Sequence, residues 1–233
     1  LRANLKFVDS VIVQTNLMRD MFVQTFPSYS GSVHVLSQPA QRWLLVRERR
    51  RWESREVVRP NRLRLVYPAA WYPHKNHDLL LSIDAEALFR ECEIILTLPL
   101  NTSGLKSNKA ISLVGFLEPD EMIESYRSAD GLLFLSSTES YGFPLVEAMY
   151  LGLPIVCPDA PYARELCGDK AFFFDLTKPE SILDAVMRLR SALSLGYSPD
   201  WGAELSKLSA RWADVASAII SIASDEHNNE TPI

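Results

Sequence analysis

Residues 131–158, "GLLFLSSTESYGFPLVEAMYLGLPIVCP", hold two apolar runs with a helical stretch between them. The run opening at Gly131 is apolar at successive positions, not at alternate ones. That pattern suits a strand buried on both faces. "PIVCP" has the same character. Between them, "PLVEAMYLG" carries helix punctuation, with Pro144 at its first position and Gly152 just past its end. Strand, helix and strand in this order point to parallel pairing.

The same rhythm extends in both directions. Upstream, "LRLVYP" reads as a strand and "NHDLLLSIDAEALFREC" as one helix beginning near Asn76 or Asp78. "EIILTLPL" and "AISLVGF" are strands, and "EPDEMIESYRSAD" is a short helix capped by Glu118 with Pro119 next. Downstream, "PYARELCG" is a short helix and "AFFFD" a strand. "SILDAVMRLRSAL" is an amphipathic helix, with Ile182, Val186, Leu189 and Leu193 on one face. Residues 62–195 therefore read as an α/β domain with a doubly wound, Rossmann-like parallel sheet. Ahead of it, "SVIVQ" and "VHVL" are strands flanking a helix with Thr15 or Asn16 at its cap. Behind it, Leu208, Trp212, Val215, Ile219 and Ile222 form a stripe on a further helix, an apolar face in need of a partner.

Composition is that of an ordinary globular chain, 47% apolar and 23% charged, with net charge −5. The charge is uneven. Between Arg42 and Arg64 stand nine Arg and three Glu, a local +6 against −11 for the remainder. This stretch reads either as a solvated connection or as a patch facing phosphates or an anionic lipid surface. The acidic remainder argues against a nucleic-acid partner. Cys92, Cys157 and Cys167 have no metal-ligand spacing; Cys92 and Cys157 read as small core residues, and a reducing compartment is expected. No apolar run is long enough to span a bilayer as a helix.

In an open α/β sheet, ligands sit at the carboxyl ends of the strands. Glu139 follows such an end. Gly142 allows close backbone approach, and amides from Phe143 to Val146 are expected to lack helical acceptors, which suits a phosphate. Glu147 is placed on the first turn of that helix, where its carboxylate could accept from two adjacent hydroxyls, as on a ribose. The bland alternative leaves Glu147 complementing the helix dipole and Glu139 solvated. Lys75, in "YPAAWYPHKNHDLLL", precedes another helix and could reach a phosphate oxygen. His74 and His77 lie three apart with no third ligand, and no metal site is expected. G-x-G, P-loop and G-x-S-x-G patterns are absent.

Taken together, "ESYGFPLVEAMYLGLPIVCPDAPYARELCGDKAFFFD", "LVGFLEPDEMIESYRSADGLLFLSS" and "PHKNHDLLL" resemble the C-terminal, donor-binding half of retaining GT-B glycosyltransferases, the large group often called family 4. The similarity covers roughly residues 60–195, and its E-x7-E pattern is Glu139 and Glu147. The resemblance implies that Glu147 binds ribose hydroxyls and Lys75 the diphosphate. It implies that Ser140, Tyr141, Gly142, Phe143, Pro144 and Leu145 line the phosphate and sugar site. Glu139 would orient the sugar, and Gly115 and Phe116 would flank the base. Glu139 and Lys75 are thus the catalytic candidates.

The same resemblance implies a metal-independent hexosyltransferase without a cofactor. Its donor would be a GDP- or UDP-hexose and its acceptor a glycan or a lipid-linked sugar. It would work in polysaccharide biosynthesis, in the cytoplasm, with peripheral contact at the inner face of the plasma membrane. Residues 1–36 would be a remnant of the N-terminal acceptor domain, and that domain's missing remainder would be a partner. Residues 37–61 would be the Arg-rich connection and 62–198 the nucleotide-sugar domain. Residues 199–233 would be terminal helices docking on the acceptor domain, with a disordered tail. One departure is Ala70, which stands where the family usually has an Arg five positions before the lysine. Two other readings remain: a non-catalytic module of the same fold, and a glycosidase using Glu139 and Glu147 as its carboxyl pair.

Overall fold

Strands β3 (Leu63–Tyr67), β4 (Cys92–Leu96), β6 (Gly131–Leu133) and β7 (Ile155–Pro158) carry side chains that are almost all buried, as predominantly apolar runs require, with Arg64 and Glu93 the charged exceptions. With β5 (Ile111–Leu113) and β8 (Phe172–Phe174) they form a six-stranded sheet in the order β5-β4-β3-β6-β7-β8. Every ladder in it is parallel. This is the doubly wound α/β architecture expected from the sequence. The computed structural model describes residues 4–41, 44, 62–102, 104–209 and 211–229. Of the Arg-rich stretch, only Leu44, Arg62, Leu63 and Arg64 lie among them, and the expected tail beyond 229 lies outside them.

The chain divides into two compact units, Leu1–Ala40 with Ser206–Ile233, and Gln41–Leu205. In the larger unit, β3 pairs with β4 on one side and β6 on the other, with Leu65 opposite both Ile94 and Gly131. Chain order reverses across this strand. The loops leaving β3 and β6 therefore emerge side by side at the carboxyl edge of the sheet, where such folds bind ligands. Leu65, Val66, Leu132 and Leu133 are fully buried there. Each contributes about 1.5–3 kcal/mol of burial free energy that fixes the two loop exits.

The helices follow their caps. The helix Pro119–Ser128 begins with a capping box between Glu118 and Glu121 and has Pro119 in its first turn. The segment read as one helix from residue 76 is two pieces. A 3-10 turn spans His77–Leu81, and an α-helix spans Ala85–Glu91. Asp84 accounts for the break, because its Oδ1 accepts from the Ala87 amide at 2.7 Å and restarts the helix. Trp201 donates from its indole to the Leu153 carbonyl at 3.0 Å and packs within this unit. Cys92, Cys157 and Cys167 are free and buried.

In the smaller unit, β1 (Ser10–Val13) and β2 (Ser32–Val35) pair in parallel around the helix Asn16–Thr25. Thr15 caps that helix, its hydroxyl accepting from the Met18 amide at 3.2 Å. The last helix spans Trp212–Asn229, so Leu208 lies outside the helix that its spacing suggested. Val215 is buried, while Trp212 and Ile219 of the same stripe stay exposed. Among the described residues, no helix is long and apolar enough to cross a membrane.

Candidate functional site

The loops after β3 and β6 are tied together by hydrogen bonds to backbone carbonyls. Asn76 donates from its amide to the Leu135 carbonyl at 3.0 Å. The Ser137 amide and the Ser136 hydroxyl both donate to the His74 carbonyl, at 2.8 and 3.2 Å. Tyr67 donates to the Lys75 carbonyl at 2.7 Å, and Tyr162 to the Ser136 carbonyl at 2.5 Å. Asn76 adopts a left-handed conformation, φ 51°, which asparagine tolerates better than most residues. A scaffold of Tyr, Ser and Asn thus sets the spacing of two loops distant in sequence.

Lys75 and Glu139 meet across this junction in an ion pair. Both side chains are recessed, at 15% and 13% exposure, and the Lys75 ammonium also lies 5.5 Å from the Phe134 ring centre. A half-sealed pair gains more from attraction than a surface pair does. Two residues on from Lys75, His77 stacks on the rings of Tyr67 and Trp71, at 4.9 and 5.3 Å. Burial pushes its pKa down to about 4, against a raising hydrogen bond to the Ala69 backbone, so the ring is neutral at pH 7.

The helix after β6 spans Phe143–Tyr150 and is capped by Gly142 at φ 84°, a conformation that glycine adopts without strain. Fewer amides are open here than the sequence suggested. Pro144 has no N–H, and the Leu145 and Val146 amides donate to the Gly142 carbonyl at 2.9 and 3.4 Å. Among the described residues, the Gly142 and Phe143 amides have no acceptor. Tyr141 is buried and meets Phe143 edge-on at 5.1 Å, while Ser140 is exposed. Pro144 is half-buried and Leu145 is buried.

Glu147 falls one turn into this helix, not on its first turn, because the helix already starts at Phe143. Its side chain is only 7% exposed. Oε2 accepts from the hydroxyl of Tyr126, which is fully buried, at 2.6 Å. Burial raises the Glu147 pKa, and the Tyr126 hydrogen bond opposes that rise. Among the described residues, Oε1 accepts no hydrogen bond, yet it is not one of the polar atoms sealed from solvent. A carboxylate satisfied on its inner oxygen and open on its outer one can receive hydroxyl donors.

The predicted residues thus fall into three groups. Lys75 and Glu139 are in direct contact, and Ser140 to Leu145 with Glu147 follow on the same loop and helix. Gly115, at φ 80°, and Phe116, 84% exposed, follow β5, which lies two strands from β3 on the same sheet. Ala70 is exposed in the β3 loop. Sequence reasoning missed Tyr126, Tyr67 and Tyr162. Their one local signal was a tyrosine inside an otherwise apolar buried pattern, where a phenylalanine would have filled the space.

Residues 100–192 match the family model Glycosyl transferases group 1. The serotype-specific mannosyltransferase WbdA of Escherichia coli is 30% identical over 79 residues, which are 34% of this chain. The match spans about a tenth of that relative's length, 10%. Sucrose-phosphate synthase from Thermosynechococcus elongatus superposes with TM-score 0.69 at 13% identity, covering 98% of this chain and 61% of that one. Anabaena HepE, solved in complex with UDP and glucose, superposes with TM-score 0.62 at 16% identity, covering 97% and 68%. Residues 100–192 are thus similar to glycosyl transferases group 1, and the chain shares the Rossmann-like α/β sheet of the GT-B fold.

Proposed function

We propose that the larger unit is the donor-binding half of a retaining glycosyltransferase that moves a hexose from a nucleotide diphosphate sugar to a glycan or lipid-linked acceptor. The observation that carries this reading is the Lys75–Glu139 pair followed, on the same loop and helix, by two amides without an acceptor among the described residues and by Glu147 with one oxygen unbonded. In this reading the Gly142 and Phe143 amides and Lys75 receive the diphosphate. Lys75 has three donors, so it can bind a phosphate oxygen without releasing Glu139. Glu147 receives the ribose hydroxyls, Gly115 and Phe116 flank the base, and Glu139 orients the sugar. When the sugar–phosphate bond breaks, its electron pair leaves on the phosphate oxygen, where the ammonium and amides offset the charge. Stabilising charge that develops in the transition state is commonly the largest catalytic term.

The HepE complex with UDP and glucose and the WbdA mannosyltransferase support a nucleotide-sugar donor and a role in polysaccharide synthesis. The rest of an acceptor domain, GDP or UDP as the carrier, a metal-independent reaction and a site of action at the cytoplasmic membrane face belong to the same proposal. The test is calorimetry and thermal shift with UDP, GDP, ADP and their hexose adducts. A ligand at a hundred times its dissociation constant should stabilise the fold by about 2.7 kcal/mol. Binding of none of them would overturn the reading.

A second reading, a nucleotide-sugar-binding module without turnover, is favoured by Ala70. An exposed methyl group stands where the resemblance to family 4 implies an Arg. Release of free sugar or transfer to an added acceptor by the complete protein excludes that reading; binding without either supports it.

A further inference from the structure

We propose that Tyr126 is a positioning residue for Glu147, holding one carboxylate oxygen from inside so that the other is presented to the paired hydroxyls of a ribose. The inference rests on the donor-site reading above and deepens it. Tyr126 belongs to the helix Pro119–Ser128, which follows the Gly115–Phe116 loop, whereas Glu147 belongs to the helix Phe143–Tyr150. The bond between them, 2.6 Å and fully buried on the tyrosine side, joins the helix that precedes β6 to the helix that follows it.

Hydrogen-bond accounting separates this pair from a packing device. Among the described residues the Tyr126 hydroxyl has no other partner, and a phenylalanine would fill the same volume without burying an oxygen. Glu147 likewise has no other side-chain partner among the described residues, and no ion pair to Lys, Arg or His. Burying a carboxylate with one neutral donor and no cation is poor compensation if stability alone is served. It makes sense where the remaining acceptor capacity is reserved for a ligand. A phenol donates to the ionised form and so keeps Glu147 an acceptor on both oxygens. A protonated carboxyl would spend one oxygen as a donor and lose the match to a diol. Burial of Tyr126 also raises its own pKa, so the phenol keeps the proton it donates.

The test uses Tyr126→Phe in the whole chain, with UDP and GDP and their 2′,3′-dideoxy counterparts as probes. The wild type binds the ribose forms more tightly than the dideoxy forms. In the variant that preference shrinks about tenfold, on the scale of one charge-assisted hydrogen bond, while dideoxy affinity stays within about twofold. Tyr126→Met, a second donor-free variant, gives the same ratio if the Phe variant folds poorly. On a Glu147→Gln background, Tyr126→Phe adds little further loss. An equal fall for both ligand types, no fall at all, or full additivity with Glu147→Gln would leave Tyr126 purely structural and overturn the proposal. A wild type that binds no nucleoside diphosphate instead sinks the donor-site reading beneath it.

Discussion

Glu147→Gln keeps the shape of a side chain that is 7% exposed and removes its charge. The Tyr126 hydroxyl can still donate to the amide oxygen at the position where it now meets Oε2 at 2.6 Å. Two consequences of opposite sign follow. For binding, each hydroxyl donating to an ionised carboxylate contributes about 1.5–3 kcal/mol, and with its oxygen held by Tyr126 glutamine turns an NH2 donor toward the ligand. The loss should be at least about 1.5 kcal/mol, or more than about tenfold in Kd for UDP or GDP. For folding, burial has raised the carboxyl pKa. A carboxyl that holds its proton longer folded than unfolded contributes its stability fully below its unfolded pKa, near 4.5, and loses it as pH rises through the folded value. At pH 7 the charge is therefore a liability that glutamine lacks. Ligand-free stability should hold or rise, and Tm with it. Calorimetry with both nucleotides and thermal denaturation without them give the two numbers. A variant that binds as tightly as the wild type, or that loses more than about 1 kcal/mol of stability, refutes the reasoning.

Three further outcomes are expected. Lys75→Met leaves recessed Glu139 without its cation, lowering stability by about 1–3 kcal/mol in urea unfolding. It should also weaken nucleoside diphosphates about tenfold while sparing the free nucleoside. Gly142→Ala forces a Cβ into left-handed backbone at φ 84° and to 3.3 Å from both Leu145 and Leu166, so stability should fall by about 1–2 kcal/mol and diphosphate affinity with it. His77→Phe should flatten the acid limb of the stability profile. With a folded pKa of about 4 against 6.5 unfolded, the neutral ring contributes fully above pH 6.5 and loses that contribution as pH falls toward 4. The difference is about 3 kcal/mol across that window, read as urea midpoints from pH 7 to pH 4.5.

The fold class was legible because it depends on local patterning. Largely apolar runs at Leu63, Gly131 and Ile155, separated by capped helices, admit little besides a buried parallel sheet. Helix boundaries were legible where a cap stood alone, as at Glu118, and were misplaced where a second cap competed, as at Asp84. The number of open amides after Gly142 was overestimated, because which carbonyl accepts from Leu145 depends on the turn geometry and not on residue type.

By itself, the sequence determined the alternation of strands and helices, hence the layered architecture, and the chemical inventory of the carboxyl-edge loops. Periodicity and capping act within a few residues and need no partner. Tertiary structure alone decided that Lys75 meets Glu139 sixty-four positions away, and that Tyr126 reaches Glu147 from a neighbouring helix. Both contacts depend on strand order, because β6 inserts beside β3 and not beyond β5. Strand order is set by the summed burial of the whole sheet, a quantity no short window of residues contains.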